Sequence, residues 1–181
     1  MQTFVTLLRG INVSGHHIIK MDALRSLLQE LEFQDIHTYI QSGNVVLKSK
    51  NKDTIALQQS IAQAIEKQFG FQISVHMLTK EHFNQILDAN PFIQDPEKDP
   101  SFMHVMFLDQ EPSTLRLEQI EAKQRHGEEI SIHTNAVYLY LPKGSGDSKW
   151  SNTFLENQLK VTATTRNWRT CQKLKELCQN N

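Results

Sequence analysis

Two sets of side chains in this sequence could do chemistry, and both are cationic and amide-rich. The first comprises Arg9, Asn12 and Lys20 from RGINVSGHHIIK (9–20), with Gln41, Ser42 and Asn44 from TYIQSGN (38–44). The second comprises Lys149 and Asn152 from PKGSGDSKWSN (142–152), with Arg166, Asn167 and Trp168 from TRNW (165–168). Arginine forks onto a carboxylate or phosphate through two hydrogen bonds, and lysine adds a point charge. Glycines beside them let backbone N–H groups approach a ligand. The loop ending in Trp150-Ser151-Asn152 also opens a helix, whose first N–H groups favour anions. The chemistry indicated is recognition of a small anion.

Other site chemistries find less support. Gly-Ser-Gly-Asp-Ser-Lys fails the spacing of nucleotide phosphate loops. His16, His17, His37, His76, His82, His104, His126 and His133 make no metal-ligand spacing with a cysteine or acid, so no metal and no cofactor is expected. No nucleophile or general base can be picked out, which leaves the question of an enzyme open. Cys171 lies on the apolar stripe of a predicted helix and reads as core. Trp168, taken alone, reads as a helix anchor rather than a base-stacking platform. Tyr138 and Tyr140 share one strand face, the arrangement of RNA-stacking sheets, but the accompanying glycine-aromatic motif is missing.

The elements that must position these residues repeat in order. Residues 3–8 predict a strand, and 20–32 a helix with Leu24, Leu27, Leu28 and Leu31 on one stripe. DIHTYI and NVVLKS predict a hairpin around Gln41-Ser42-Gly43. Asp53 caps a helix that stops at Gly70, 71–77 is a strand, and Thr79 caps a short helix ending before Pro91. After the polar, proline-rich QDPEKDP the order returns. SFMHVMFL is a strand, and Ser113 caps a helix to about Arg125. EEISIH and AVYLYL form a hairpin, followed by a helix over 151–159, a strand VTAT, and a last helix bearing Trp168, Cys171, Leu174 and Cys178. Each half reads β-α-β-β-α-β plus a trailing helix, which predicts an α+β chain of tandem ferredoxin-like halves. The expected boundaries are 1–93 and 101–181, with 94–100 as linker.

That topology places the loop after the first strand of a half beside the turn between its second and third. It places the loop after the third strand beside the exit of the fourth. Arg9, Asn12 and Lys20 are thus expected near Gln41, Ser42 and Asn44. Lys143, Ser145, Ser148, Lys149 and Asn152 are expected near Arg166, Asn167 and Trp168.

LLRGINVSGHHIIKM, TYIQSGNVVL, GDSKWSNTFLENQL and TATTRNWRT together resemble the signature segments of the bacterial domain-of-unknown-function family 1697, over about residues 3–178. The resemblance implies two ferredoxin-like halves in a cytoplasmic protein and no established activity. It places recurrent polar positions of the family on Arg9, Gly10, Asn12, Gly15, Lys20, Gln41, Ser42, Gly43, Asn44, Lys149, Asn152, Arg166, Asn167 and Trp168. Two departures stand out: Ser14 replaces the first of two glycines, and Glu32 replaces a helix-ending glycine.

Bulk properties bound the function. The 181 residues are 39% hydrophobic with a net charge of −1, so a packed core is expected and a globally basic nucleic-acid footprint is not. No apolar run approaches the ~20 residues of a membrane span, and the N-terminus lacks a basic leader, so no membrane association is expected. Cys171 and Cys178 are ~10 Å apart along a helix, beyond disulfide reach. Free thiols fit a cytoplasmic protein. The expectation is a small anionic ligand, a nucleotide or phosphate ester, in a cleft formed by the two clusters. The alternatives are a nucleic-acid module using a sheet face, and a structural or partner-binding protein without a ligand. Oligomeric state is not legible.

Overall fold

The structure, a computed structural model, describes residues 1–180. The chain divides into two compact units: Met1–Gln85 together with the chain from Gln172 on, and Ile86–Cys171. The first contains β1 (Gln2–Leu8), α1 (Met21–Glu30), β2 (Gln34–Tyr39), β3 (Asn44–Ser49), α2 (Thr54–Phe69) and β4 (Val75–Thr79), followed by α3 (Lys80–Asp88). The second contains β5 (Met103–Leu108), α4 (Leu117–Glu121), β6 (Glu129–Ile132), β7 (Ala136–Tyr140), α5 (Asn152–Leu159) and β8 (Ala163–Asn167), followed by α6 (Trp168–Gln179).

The sheets are antiparallel, in orders β2-β3-β1-β4 and β6-β7-β5-β8. In each, the first strand lies between the third and the fourth. This is the tandem split-βαβ, ferredoxin-like α+β architecture that the element order implies.

Side-chain alternation along the strands builds the cores. Phe4 and Leu8 of β1, Val45 and Leu47 of β3 and Met77 of β4 share a face. They pack on Leu24, Leu27 and Leu28 of α1 and Leu57, Ile61 and Ile65 of α2. In the second unit Met106, Leu108, Val137, Leu139 and Ala163 pack on Ile120, Leu155 and Leu159. The other face of each sheet is buried too, at Val5, Leu7 and Val46 and at Val105, Phe107 and Tyr138. Helix ends follow local chemistry. Asp53 accepts from the N–H groups of Ile55 and Ala56, and Gly70 closes α2 at φ 81°. Ser151 caps α5, and Thr79 accepts from His82 N at 3.1 Å.

Three elements differ from expectation. β4 begins at Val75 rather than Phe71, because its partner β1 ends at Leu8, opposite Val75, and Gly10 turns the chain away at φ 73°. The helix expected from Ser113 to about Arg125 shrinks to Leu117–Glu121. At its start Thr114 Oγ1 donates to Gln158 O at 2.8 Å. At its end Arg125 N donates to Glu128 Oε2 (2.9 Å) and Glu128 N to Arg125 O (3.0 Å), closing a tight turn through Gly127. β8 runs over Ala163–Asn167 rather than 161–164, in register with β5 from Leu108 to His104. QDPEKDP lies in the second unit between two 3-10 turns, with Lys98 paired to Glu129 at 2.6 Å and 4.9 Å from the Tyr140 ring.

Candidate functional site

The first polar cluster is gathered at one end of the first sheet. Asn12 Nδ2 donates to Ile19 O (3.0 Å) and Gln41 O (2.7 Å), and its Oδ1 accepts from Ile19 N (2.9 Å). One carboxamide thus closes the 9–20 loop on itself and ties it to the β2–β3 turn. Within the loop, His16 N donates to Val13 O at 2.9 Å across Ser14 (φ 49°) and Gly15 (φ 79°). Positive φ at both central residues is the signature of a type I′ turn. His17 stacks on Phe71 with centroids 4.4 Å apart, fixing the loop from its other side.

Gly43 must be glycine on two counts. Its φ is 73°, and a Cβ there would lie 2.6 Å from Leu8 Cβ. Buried Asn44 donates from Nδ2 to Ser42 Oγ (2.8 Å) and Tyr39 O (3.3 Å). The amides of Asn12 and Asn44 are therefore engaged in shaping their own loops. Arg9 is half-buried, with its N–H on Ser74 O at 3.0 Å. Lys20 and Gln41 are exposed.

The second cluster borders a cavity of about 350 Å³. Strand periodicity explains its floor. Met106 and Leu108, Leu139, and Ala163 form the helix-covered face, and the same face continues to His104 on β5 and to Thr165 and Asn167 on β8. Helix α5 does not cover this continuation, and the 142–151 loop and the start of α5 border it instead. The cavity is lined by His104, Leu139, Leu141, Ser145, Trp150, Ser151, Asn152, Thr165 and Asn167. Trp150 is buried as one wall, its Nε1 donating to Ile120 O at 2.8 Å. Asn152 accepts from Thr165 Oγ1 and donates to Ala163 O at 3.4 Å, fixing α5 against β8. Asn167 Oδ1 accepts from Thr170 N at 2.9 Å, capping α6, and its Nδ2 is left to donate.

Of the sequence-predicted residues, Asn152 and Asn167 line this cavity, and Lys149 is exposed on the bordering loop. Arg166 does not line it. As the neighbour of Asn167 in a strand it takes the opposite face, where its Nη1 donates to Thr164 Oγ1 (2.8 Å) and Thr165 O (2.9 Å). Burial lowers its pKa to about 10, which leaves it protonated at neutral pH. Trp168 is buried at the first position of α6.

Sequence reasoning missed His104 and Trp150. A signal for His104 did exist: in FMHVMFL it is the polar member of the alternate set His104, Met106, Leu108. Its Nδ1 is 3.2 Å from Phe102 O. A carbonyl only accepts, so this bond puts the proton of the neutral ring on Nδ1 and leaves Nε2 as an acceptor. Burial lowers the His104 pKa, favouring that neutral ring. Among the described residues no three His, Cys, Asp or Glu side chains group to hold a metal ion, and no helix is long and apolar enough to cross a membrane.

No curated protein matches the chain. Its fold is similar to a solved structure, that of conserved bacterial protein SP0830 from Streptococcus pneumoniae. The two share 22% identity over 98% of each chain, with a TM-score of 0.67. The family model described as protein of unknown function (DUF1697) matches residues 1–138, and the chain belongs to that family.

Proposed function

We propose that this protein binds a small anionic ligand, a nucleotide or other phosphate ester, with the cavity of the second unit as its seat. The observation that carries this reading is the convergence of polar groups and a helix start on one concavity. Ser145, Ser151, Asn152, Thr165 and Asn167 face a space of about 350 Å³, the size range of small-ligand sites. Ser151 and Asn152 at the start of α5 line it, and helix N-termini favour anions. Lys143 and Lys149 sit on the bordering loop against one acid, Asp147. In the first unit, Asn12 ties the 9–20 loop to Ile19 O and Gln41 O, and Lys20 at the end of that loop is exposed.

Thermal-shift titration with phosphate, ribose 5-phosphate and UMP tests the reading. A ligand at 100 times its dissociation constant adds about 2.7 kcal/mol, a rise in Tm of several degrees. Lys149→Glu should weaken that rise. No shift with any anion refutes the proposal.

The sheet-face nucleic-acid reading is less favoured. It needs Tyr138 and Tyr140 free to stack. Tyr138 is fully buried, donating to Ile86 O at 2.7 Å, and Tyr140 is half-buried against Phe92 and Phe102. The free thiols of Cys171 and Cys178 support a reducing, cytoplasmic location.

A further inference from the structure

The cavity holds a hydrogen-bond donor beside an acceptor, and a fully ionised anion, which only accepts, matches the donor alone. His104 and Asn167 are directly opposite one another on β5 and β8, and both line the cavity. Opposed residues on one sheet face have Cβ atoms about 4.5–5.5 Å apart, so their polar tips can reach one ligand group. Each has one end tied by the fold. Nδ1 of His104 is held by Phe102 O, which leaves Nε2 to accept. Oδ1 of Asn167 is held by Thr170 N, which leaves Nδ2 to donate. The fold thus sets an acceptor beside a donor, next to the Trp150 wall.

We propose that His104 and Asn167 are specificity-determining residues that read an adjacent donor and acceptor on the ligand's uncharged part. Two kinds of group have that pattern: the hydrogen-bonding edge of a nucleobase and the vicinal hydroxyls of a sugar. The inference rests on the anion-binding reading and narrows it to phosphate esters with such a head. It explains why the polar lining extends onto the sheet, beyond the α5 N-terminus where an anion would bind.

Calorimetric titration with UMP, ribose 5-phosphate and inorganic phosphate tests it. The expected result is that at least one ester binds about tenfold tighter than phosphate, the worth of one to two hydrogen bonds. A margin for UMP alone identifies a base edge, and a margin for both identifies sugar hydroxyls. His104→Phe removes the acceptor. Asn167→Asp keeps the α6 cap and turns the donor into an acceptor. Its added charge weakens all three ligands, so the ester-to-phosphate ratio is the quantity read. Both variants should collapse that ratio towards one, while His104→Gln, which carries an amide oxygen to the Nε2 position, should retain part of it. If phosphate binds but neither ester is tighter, or the ratio survives His104→Phe and Asn167→Asp, the inference is overturned and anion binding stands. If no anion binds the wild type, both fall.

Discussion

Gly43→Ala should be among the most damaging single-atom changes in the first unit, and a second glycine in that unit provides its control. Gly43 and Gly70 both adopt left-handed backbone, with φ 73° and 81°. An alanine Cβ at Gly70 meets nothing within 4 Å, whereas at Gly43 it lies 2.6 Å from Leu8 Cβ, 3.0 Å from Leu8 O and 3.1 Å from Ile11 Cδ1. The left-handed conformation costs alanine about 1–2 kcal/mol, offset by ~0.4–1 kcal/mol because alanine restricts the unfolded chain. Gly70→Ala should therefore destabilise by roughly 0.5–1 kcal/mol. At Gly43 an overpacking cost of ~1–3 kcal/mol is added. Leu8 Cβ and O are anchored to the backbone of β1 and cannot rotate away, and Leu8 N is itself bonded to Gly43 O at 2.8 Å. The expected total is ~2–4 kcal/mol. Urea unfolding followed by circular dichroism gives both values from the shift in midpoint at a shared slope. If Gly43→Ala costs no more than Gly70→Ala, the close approach of the β2–β3 turn to β1 is not what requires glycine there.

Further outcomes follow from other local features. Glu32 holds φ 64° just after α1, so Glu32→Gly should stabilise by up to ~1 kcal/mol, the left-handed strain less the added freedom of the unfolded chain; a loss of urea resistance contradicts this. Burial lowers the His104 pKa, so its NMR titration midpoint should fall below the ordinary value of about 6.5. Between the two pKa values the unfolded chain binds more protons, so the His104 contribution to stability is full above about pH 6.5 and declines as pH falls towards the folded pKa. A midpoint at or above 6.5 refutes the burial argument. Burial raises the thiols of Cys171 and Cys178 to about 12 and about 11. Neither should react with a thiol reagent at pH 8 until urea unfolds the chain; labelling in native buffer contradicts that burial.

Much of the fold was legible because its signals are local. Asp53 and Gly70 bracket α2 as cap and stop residues do anywhere, and Ser151 announces α5 by the same means. FVTLL and FMHVMFL, apolar on both strand faces, marked buried strands, and the order of elements allowed the split-βαβ sheets. The 113–125 stretch failed for a tertiary reason: the Thr114 hydroxyl is tied to Gln158 O before the helix starts, and Glu128 takes the Arg125 N–H that a continued helix would use. Glu32 and Ser14, singled out only as departures from a resemblance, both hold positive φ.

The sequence by itself determined which polar residues share an end of a sheet, because chain reversal in a split-βαβ unit allows no other arrangement. Only the tertiary structure decided what those residues do there. Asn12 could have met a ligand, and instead its amide meets Ile19 and Gln41. Arg166 and Asn167 are adjacent in the chain, yet only Asn167 reaches the cavity, because successive strand residues face opposite ways and the register of β8 on β5 selects the face. The cavity joining His104 to Trp150 and Asn152 is a space between packed elements. No residue encodes it alone, since it exists only where the loops and α5 leave the end of the sheet uncovered.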